Sequence, residues 1–230
     1  VEDTYLRLDK DLADFFNFLD KEVGKDNYTL FLTADHAAVQ VPAYLKSVKI
    51  PAHYFSYTKF KEYVNSITLK HFKSDKLVEN ISNFQIFLNK EKVASLQLDA
   101  NTVAQKIADE VINYKGIYKS VTAKTLQTTS FTSGILNSLQ NGYNQKFSGD
   151  VLLIPNPSTL STYYKNGGTS HGSGYSYDTH IPMIFYGNGI KKGSSTKKYE
   201  IIDIAPTIAN LLQIEFPNGS TGEIIDEILK

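Results

Sequence analysis

The stretch Tyr28-Thr29-Leu30-Phe31-Leu32-Thr33-Ala34-Asp35-His36 constrains this chain more than any other. An apolar, β-prone run ends abruptly in a carboxylate and an imidazole side by side. A run of this kind reads as a buried strand of an α/β sheet. Polar groups at the C-terminal end of such a strand stand where open α/β sheets bind their ligands. Carboxylate oxygen and neutral imidazole are both good zinc donors. The plainer alternative is a strand that ends in a polar turn, with Asp35 capping the segment after it.

The flanking pattern supports a layered α/β core. Tyr5, Leu8, Leu12, Phe15, Phe16 and Leu19 recur at helical spacing, with Arg7, Asp9, Lys10, Asp11 and Asp14 on the other face. That predicts an amphipathic helix of roughly five turns, closed by Gly24. A short polar turn then leads into the strand over 28–33. Downstream, Val151 to Pro155 and Ile181 to Tyr186 repeat the buried-strand pattern. A helix is expected over 131–143, and another that opens at Asp203 and carries Ile204, Ile208, Leu211 and Leu212, with Pro206 tolerated in its first turn. The tail, Gly222 to Lys230, reads as a short helix.

Residues 43–128 have a different character. Pro42 and Pro51 interrupt the chain. Phe60, Val64, Ile67 and Phe72 predict a helix over 58–73. Phe84–Leu88 and Val93–Leu98 read as a hairpin across Asn89-Lys90-Glu91. Asp99 or Asn101 would cap a helix bearing Val103, Ile107, Val111 and Ile112, and residues 120–127 look extended. The expectation is an α/β core from 1–42 and 129–230, with a small α+β cap inserted at 43–128.

Composition excludes several classes. With 24 basic and 24 acidic residues the formal charge is zero, so no electrostatic footprint for nucleic acid exists. The absence of Cys rules out disulfides and thiolate metal sites. No apolar run approaches the ~20 residues of a membrane-spanning helix. The chain starts at Val1, without Met, and enters a helical pattern within a few residues, which suggests a fragment or a processed product.

Among the histidines, His71 sits beside Lys70 and Lys73 and reads as a solvated surface residue, and His53 as structural. His171 lies in a loop of very small residues, Ser170-His171-Gly172-Ser173-Gly174, whose glycines permit close approach of a ligand. His180 ends the same loop and reads as a backbone-bonded histidine. Tyr175 and Tyr177 either face a substrate or pack over the sheet edge. Asp35, His36 and His171 thus form a candidate donor set, although zinc takes four ligands, or three and a water.

Leu30 to Ala37 resembles the Thr-Ala-Asp-His-Gly motif of the alkaline phosphatase superfamily. Ser170 to Pro182 resembles its downstream zinc-histidine segment, and Asp203-Ile204-Ala205-Pro206-Thr207-Ile208 the helix start after it. In order and wording these segments are most similar to phosphate-irrepressible bacterial alkaline phosphatases, built on the type I phosphodiesterase/nucleotide pyrophosphatase fold. The resemblance implies an alkaline-phosphatase-like α/β sheet flanked by helices, and a metal-dependent phosphoric ester hydrolase with two zinc ions. It implies that Asp35 and His36 bind the zinc that holds the nucleophile, and His171 the zinc that stabilises the leaving oxygen. It further implies a Thr or Ser phosphoenzyme, a small phosphate-ester substrate and a periplasmic or secreted location.

Other parts of the family pattern have no match here: an Asp ligand, the Thr or Ser nucleophile, a phosphate-binding Asn, a Lys and Arg pair that selects monoesters, and an Asp-x-x-x-His pair. All belong upstream of the first residue. The expectation is therefore a C-terminal portion whose partner is the N-terminal part of the same protein. It would contain no catalytic nucleophile and at most an incomplete zinc site, and by itself it would be inactive. The alternatives are a phosphodiesterase or nucleotide pyrophosphatase on the same scaffold, and a non-catalytic degenerate α/β module.

Overall fold

The computed structural model describes residues 2–229; Val1 and Lys230, the two ends of the expected terminal elements, lie outside the described residues. In chain order the elements are α1 (Glu2–Leu19), β1 (Thr29–Thr33), α2 (Pro42–Ser47), β2 (His53–Phe55), α3 (Tyr57–Phe72), β3 (Val78–Ser82), β4 (Gln85–Leu88), α4 (Lys90–Ser95), α5 (Ala100–Val111) and β5 (Ile117–Thr122). Next come α6 (Ala123–Thr128), α7 (Gly134–Asn141), β6 (Val151–Pro155), β7 (Thr159–Ser161), α8 (Ser176–Thr179), β8 (Met183–Gly187) and α9 (Ile204–Leu212). They form two compact units, one ending at Asp35 and resuming at Ile181, the other spanning His36–His180.

In the first unit, α1 runs into a π-helical turn, Asp20–Gly24, before the chain enters β1. β1 pairs antiparallel with β8, from Thr29 opposite Gly187 to Thr33 opposite Met183. Gly187 adopts φ +110° where Asn188 N–H reaches Tyr28 O at 2.8 Å. Phe16 stacks on Tyr186 with ring centroids 5.6 Å apart. Both strands were expected to be buried, and within this unit they are not: Phe31 is 45% exposed, Ile184 53% and Tyr186 45%. A two-stranded ribbon leaves its faces uncovered, and apolar content reports what a strand suits, not which neighbours are present.

Asp203 stands at the N-cap position of α9 as expected, but its carboxylate does not cap the helix. It accepts from Glu200 N at 2.8 Å and Glu223 N at 2.9 Å. Buried Thr207 donates to Asp203 O at 2.6 Å and accepts from Ile225 N at 2.9 Å. The tail is thereby tied to α9, and its short helix is a 3-10 turn at Asp226–Ile228.

The second unit is built on an antiparallel sheet in the order β3-β4-β6-β5, with β2 and β7 forming a separate parallel pair. The core packs Phe60, Val64 and Ile67 of α3 and Val103, Ile107 and Val111 of α5 against Ile86, Leu88, Val151 and Leu153 of the sheet. Helix starts are set by capping side chains: Asn89 accepts from Lys92 N at 2.8 Å, Asp99 from Thr102 N at 2.7 Å and Thr122 from Thr125 N at 3.2 Å. The Asp99 cap and the apolar face of α5 agree with the sequence expectation.

Three expectations need correction. Residues 93–98 do not form a strand: Asn89 caps α4 there, and the side-chain cap wins over a weak β pattern. The hairpin instead pairs Val78–Ser82 with Gln85–Leu88 through Asn83-Phe84. Both turn residues have positive φ, 49° and 56°, a primed turn made without glycine and so without its sequence signal. Finally, β6 does not return to the sheet of β1. It lies between β4 and β5, with Leu152 opposite both Gln85 and Val121. The compact unit that contains this sheet runs from His36 to His180. An apolar strand specifies burial on both faces but not its partners.

Candidate metal-ligating site

Within the second unit, His36 and His171 are brought face to face. Their rings stack with centroids 3.3 Å apart and 12° between planes, although 135 positions separate them in sequence. Two backbone hydrogen bonds tie the segment after His36 to both sides of the His171 loop. Ala37 N donates to Asp178 O at 2.9 Å and Val39 N to Ser170 O at 3.2 Å. The Thr169 hydroxyl returns a bond to Val39 O. Val39 itself is buried, which gives the junction an apolar anchor.

His36 Nδ1 lies 2.8 Å from Ala37 O. A carbonyl only accepts, so Nδ1 carries the proton and Nε2 is the lone-pair atom of the neutral ring. Such a backbone contact is the usual outer-shell partner of a metal-ligating histidine. His171 is exposed, as is Asp35, which sits in a bend after β1 at the end of the first unit. The donor chemistry therefore suits zinc, but the count falls short. Among the described residues no three His, Asp or Glu side chains are grouped to hold a metal ion. Each imidazole offers one donor, and the pair by itself closes no coordination shell.

The loop that carries His171 is tied down on its far side. Tyr175 donates its hydroxyl to Pro155 O at 2.9 Å, and Tyr177 accepts from Ser158 N at 3.0 Å. Their rings stack with centroids 5.6 Å apart. Burial pushes the Tyr175 hydroxyl pKa up. Of the two roles expected for these tyrosines, the geometry fits packing. His180 bonds through its backbone N–H to Ser176 O at 2.9 Å, and His53 pairs in β2 opposite Thr159. His71 is not merely solvated: its Nε2 lies 2.6 Å from Glu110 Oε1, with Lys70 3.6 Å from the same oxygen.

Sequence reasoning passed over Asp178. Its carboxylate is 5% exposed and accepts from Ser173 N at 2.8 Å and Ser173 Oγ at 2.6 Å. The one available signal was a lone charge in a loop of small residues. A groove of about 550 Å³, bordered by His71, Asp99, Lys106, Asp109 and Lys124, includes neither His36 nor His171. No helix among the described residues is long and apolar enough to cross a membrane.

The chain is 39% identical over 229 residues to alkaline phosphatase PafA of Elizabethkingia meningoseptica, covering 100% of this chain and 42% of that protein. It is 39% identical over 230 residues to alkaline phosphatase PhoV of Synechococcus elongatus, covering 41% of it. It is 38% identical to a protein named calcium-transporting ATPase from Myroides odoratus, covering 42% of that one. The crystal structure of wild-type alkaline phosphatase PafA superposes with a TM-score of 0.93 at 39% identity, over 100% of this chain and 44% of that one. The chain thus spans about two fifths of the length of the curated relatives it matches. Residues 1–178 match the family described as type I phosphodiesterase / nucleotide pyrophosphatase. This match, with the α/β fold shared with PafA, places the chain in the type I phosphodiesterase/nucleotide pyrophosphatase family.

Proposed function

We propose that this chain is the C-terminal portion of a zinc-dependent alkaline phosphatase that hydrolyses phosphate monoesters. The reading is carried by the end-to-end match to proteins named alkaline phosphatases, over two fifths of their length, with the histidine pair of the second unit as support. In the complete protein Asp35 and His36 serve one zinc ion and His171 the other, while the nucleophilic Thr or Ser comes from the upstream portion. Zinc supplies a lowered pKa for a hydroxyl nucleophile and charge stabilisation for the departing oxygen. This chain's own task is to present neutral imidazoles in a fixed tautomer, as the Nδ1 contact of His36 to Ala37 O does. The segment between the motifs shapes substrate access, and the protein works in the periplasm or outside the cell. A phosphodiesterase or nucleotide pyrophosphatase is the second reading, favoured by the family that residues 1–178 match.

The test compares the complete polypeptide carrying this chain with the 230-residue chain by itself. Intact mass under denaturing conditions identifies which species is present. Turnover of p-nitrophenyl phosphate and of its bis-ester separates the two readings. The complete protein should bind two equivalents of zinc and prefer the monoester. His36→Gln and His171→Gln should each lower turnover by about 100-fold or more, the scale of lost charge stabilisation at a transition state. Zinc-dependent turnover by the pure 230-residue chain would refute the proposal.

A further inference from the structure

We infer that Asp178 is a positioning residue that holds His171 against His36. It grips both segments of the histidine junction. Its main-chain oxygen takes Ala37 N at 2.9 Å, directly after His36. Its side chain takes Ser173 N at 2.8 Å and Ser173 Oγ at 2.6 Å, two residues after His171. The turn from Ser173 to Asp178 is therefore closed on itself, two residues beyond His171, and docked to the His36 segment through the same residue.

Burying a carboxylate is costly unless donors compensate it. Both donors here fall on Oδ2, while Oδ1 is buried with no hydrogen-bond partner among the described residues. An asparagine could close this turn with less desolvation. The retained carboxylate supplies acceptors only, so the Ser173 N–H and hydroxyl must both point inward, and the turn has one arrangement. Tyr175 and Tyr177 anchor the back of the same turn, so His171 is tethered two residues from a fixed point. The ligand role of the two histidines rests on the function proposed above; the positioning role stands on the contacts alone.

The experiment uses the 230-residue chain with labelled histidines and compares Asp178→Ala, Asp178→Asn and Ser173→Ala. It reads the ring-current shifts of His36 and His171, amide exchange at Ala37, Val39 and Ser173, and zinc affinity by chelator competition. Asp178→Ala keeps the main-chain acceptor of Ala37 but loses both bonds to Ser173, so it should abolish the ring-current shifts, speed exchange at Ser173 about tenfold or more, the scale of a lost charge-assisted hydrogen bond, and speed exchange at Ala37 through the released turn. Exchange in α5 and β6 should stay within about twofold of the parent. Asp178→Asn should restore most of the ring shifts, because its amide still meets Ser173. Where the parent binds zinc, Asp178→Ala should bind roughly 10–100-fold more weakly. Parent-like ring shifts and Ala37 exchange in Asp178→Ala overturn the inference. If Asp178→Ala also opens α5 and β6, Ser173→Ala decides: loosened His171 signals over an intact core support positioning, and unchanged signals refute it. A complete protein that binds no zinc, with the stack still lost in Asp178→Ala of the 230-residue chain, overturns the phosphatase reading and upholds the positioning role.

Discussion

Replacing Phe60 with Ala tests whether the second unit has a single packed core. Phe60 is 0% exposed on α3. Its ring centroid lies 5.1 Å from Phe55 and 5.0 Å from Tyr114, the latter edge-on at 69°. Losing the burial of a phenylalanine side chain costs about 1.5–3 kcal/mol. A void of roughly 100 Å³ that does not relax adds about 2.4 kcal/mol at ~24 cal/mol per Å³. The two aromatic contacts contribute about 0.5–1.5 kcal/mol each, part of it already counted as burial. Partial collapse offsets some of the void, so the expected loss is about 3–5 kcal/mol, in line with measured Phe→Ala changes in cores. With two compact units, a single global transition is a poor readout. Amide exchange along α3, α5 and β4 at several denaturant concentrations isolates the unit. Those amides should exchange about 100-fold or more faster, while β1 and β8 change little. A loss below ~1 kcal/mol, or equal acceleration in both units, would refute a core centred on Phe60.

Gly187→Ala should damage the first unit. An added Cβ meets Tyr28 O, and the backbone sits at φ +110°, which L residues rarely adopt. The expected cost is above ~1 kcal/mol, seen as faster exchange across β1 and β8 with α5 unaffected; unchanged exchange would mean the turn relaxes freely. Glu110→Gln tests electrostatics. The hydrogen bond from His71, then the charge of Lys70, hold the Glu110 carboxyl below the usual range. A depressed carboxyl pKa stabilises the fold above the unfolded value, about 4.3 for Glu, and that gain fades as pH falls through the folded value. Opening free energies of α5 amides in the parent and Glu110→Gln should therefore differ at pH 6 and converge as pH falls from the unfolded value of about 4.3 through the lowered folded one. A difference that stays constant across this range would show that the ion pair contributes nothing through titration.

Much of the local structure was legible because it rests on short-range rules. The apolar periodicity of Tyr5 to Leu19 and of Val103 to Val111 marked α1 and α5, and the Asp99 cap was readable from residue type. The strand before Asp35 was legible from its β-prone run. Asn89 was read as part of a turn when it caps α4, because the same side chain serves both and only the donor presented to it decides. The Asn83-Phe84 turn carried no glycine to announce its positive φ values.

The candidate site divides in the same way. Residue types and motif wording single out Asp35, His36 and His171 as candidate ligands, because ligand chemistry belongs to the side chain itself, and they pointed to the phosphodiesterase/pyrophosphatase family that residues 1–178 match. Sequence by itself also determined what is excluded: thiolate metal sites and disulfides, since there is no Cys. Only the tertiary structure decided that His36 and His171 stack, that β6 joins β4 and β5, and that Asp178 is buried between the two loop segments. Each of these depends on contacts between residues far apart in the chain, Ala37 with Asp178 among them. Such pairings are chosen by the packing of the whole unit, and no local pattern carries them.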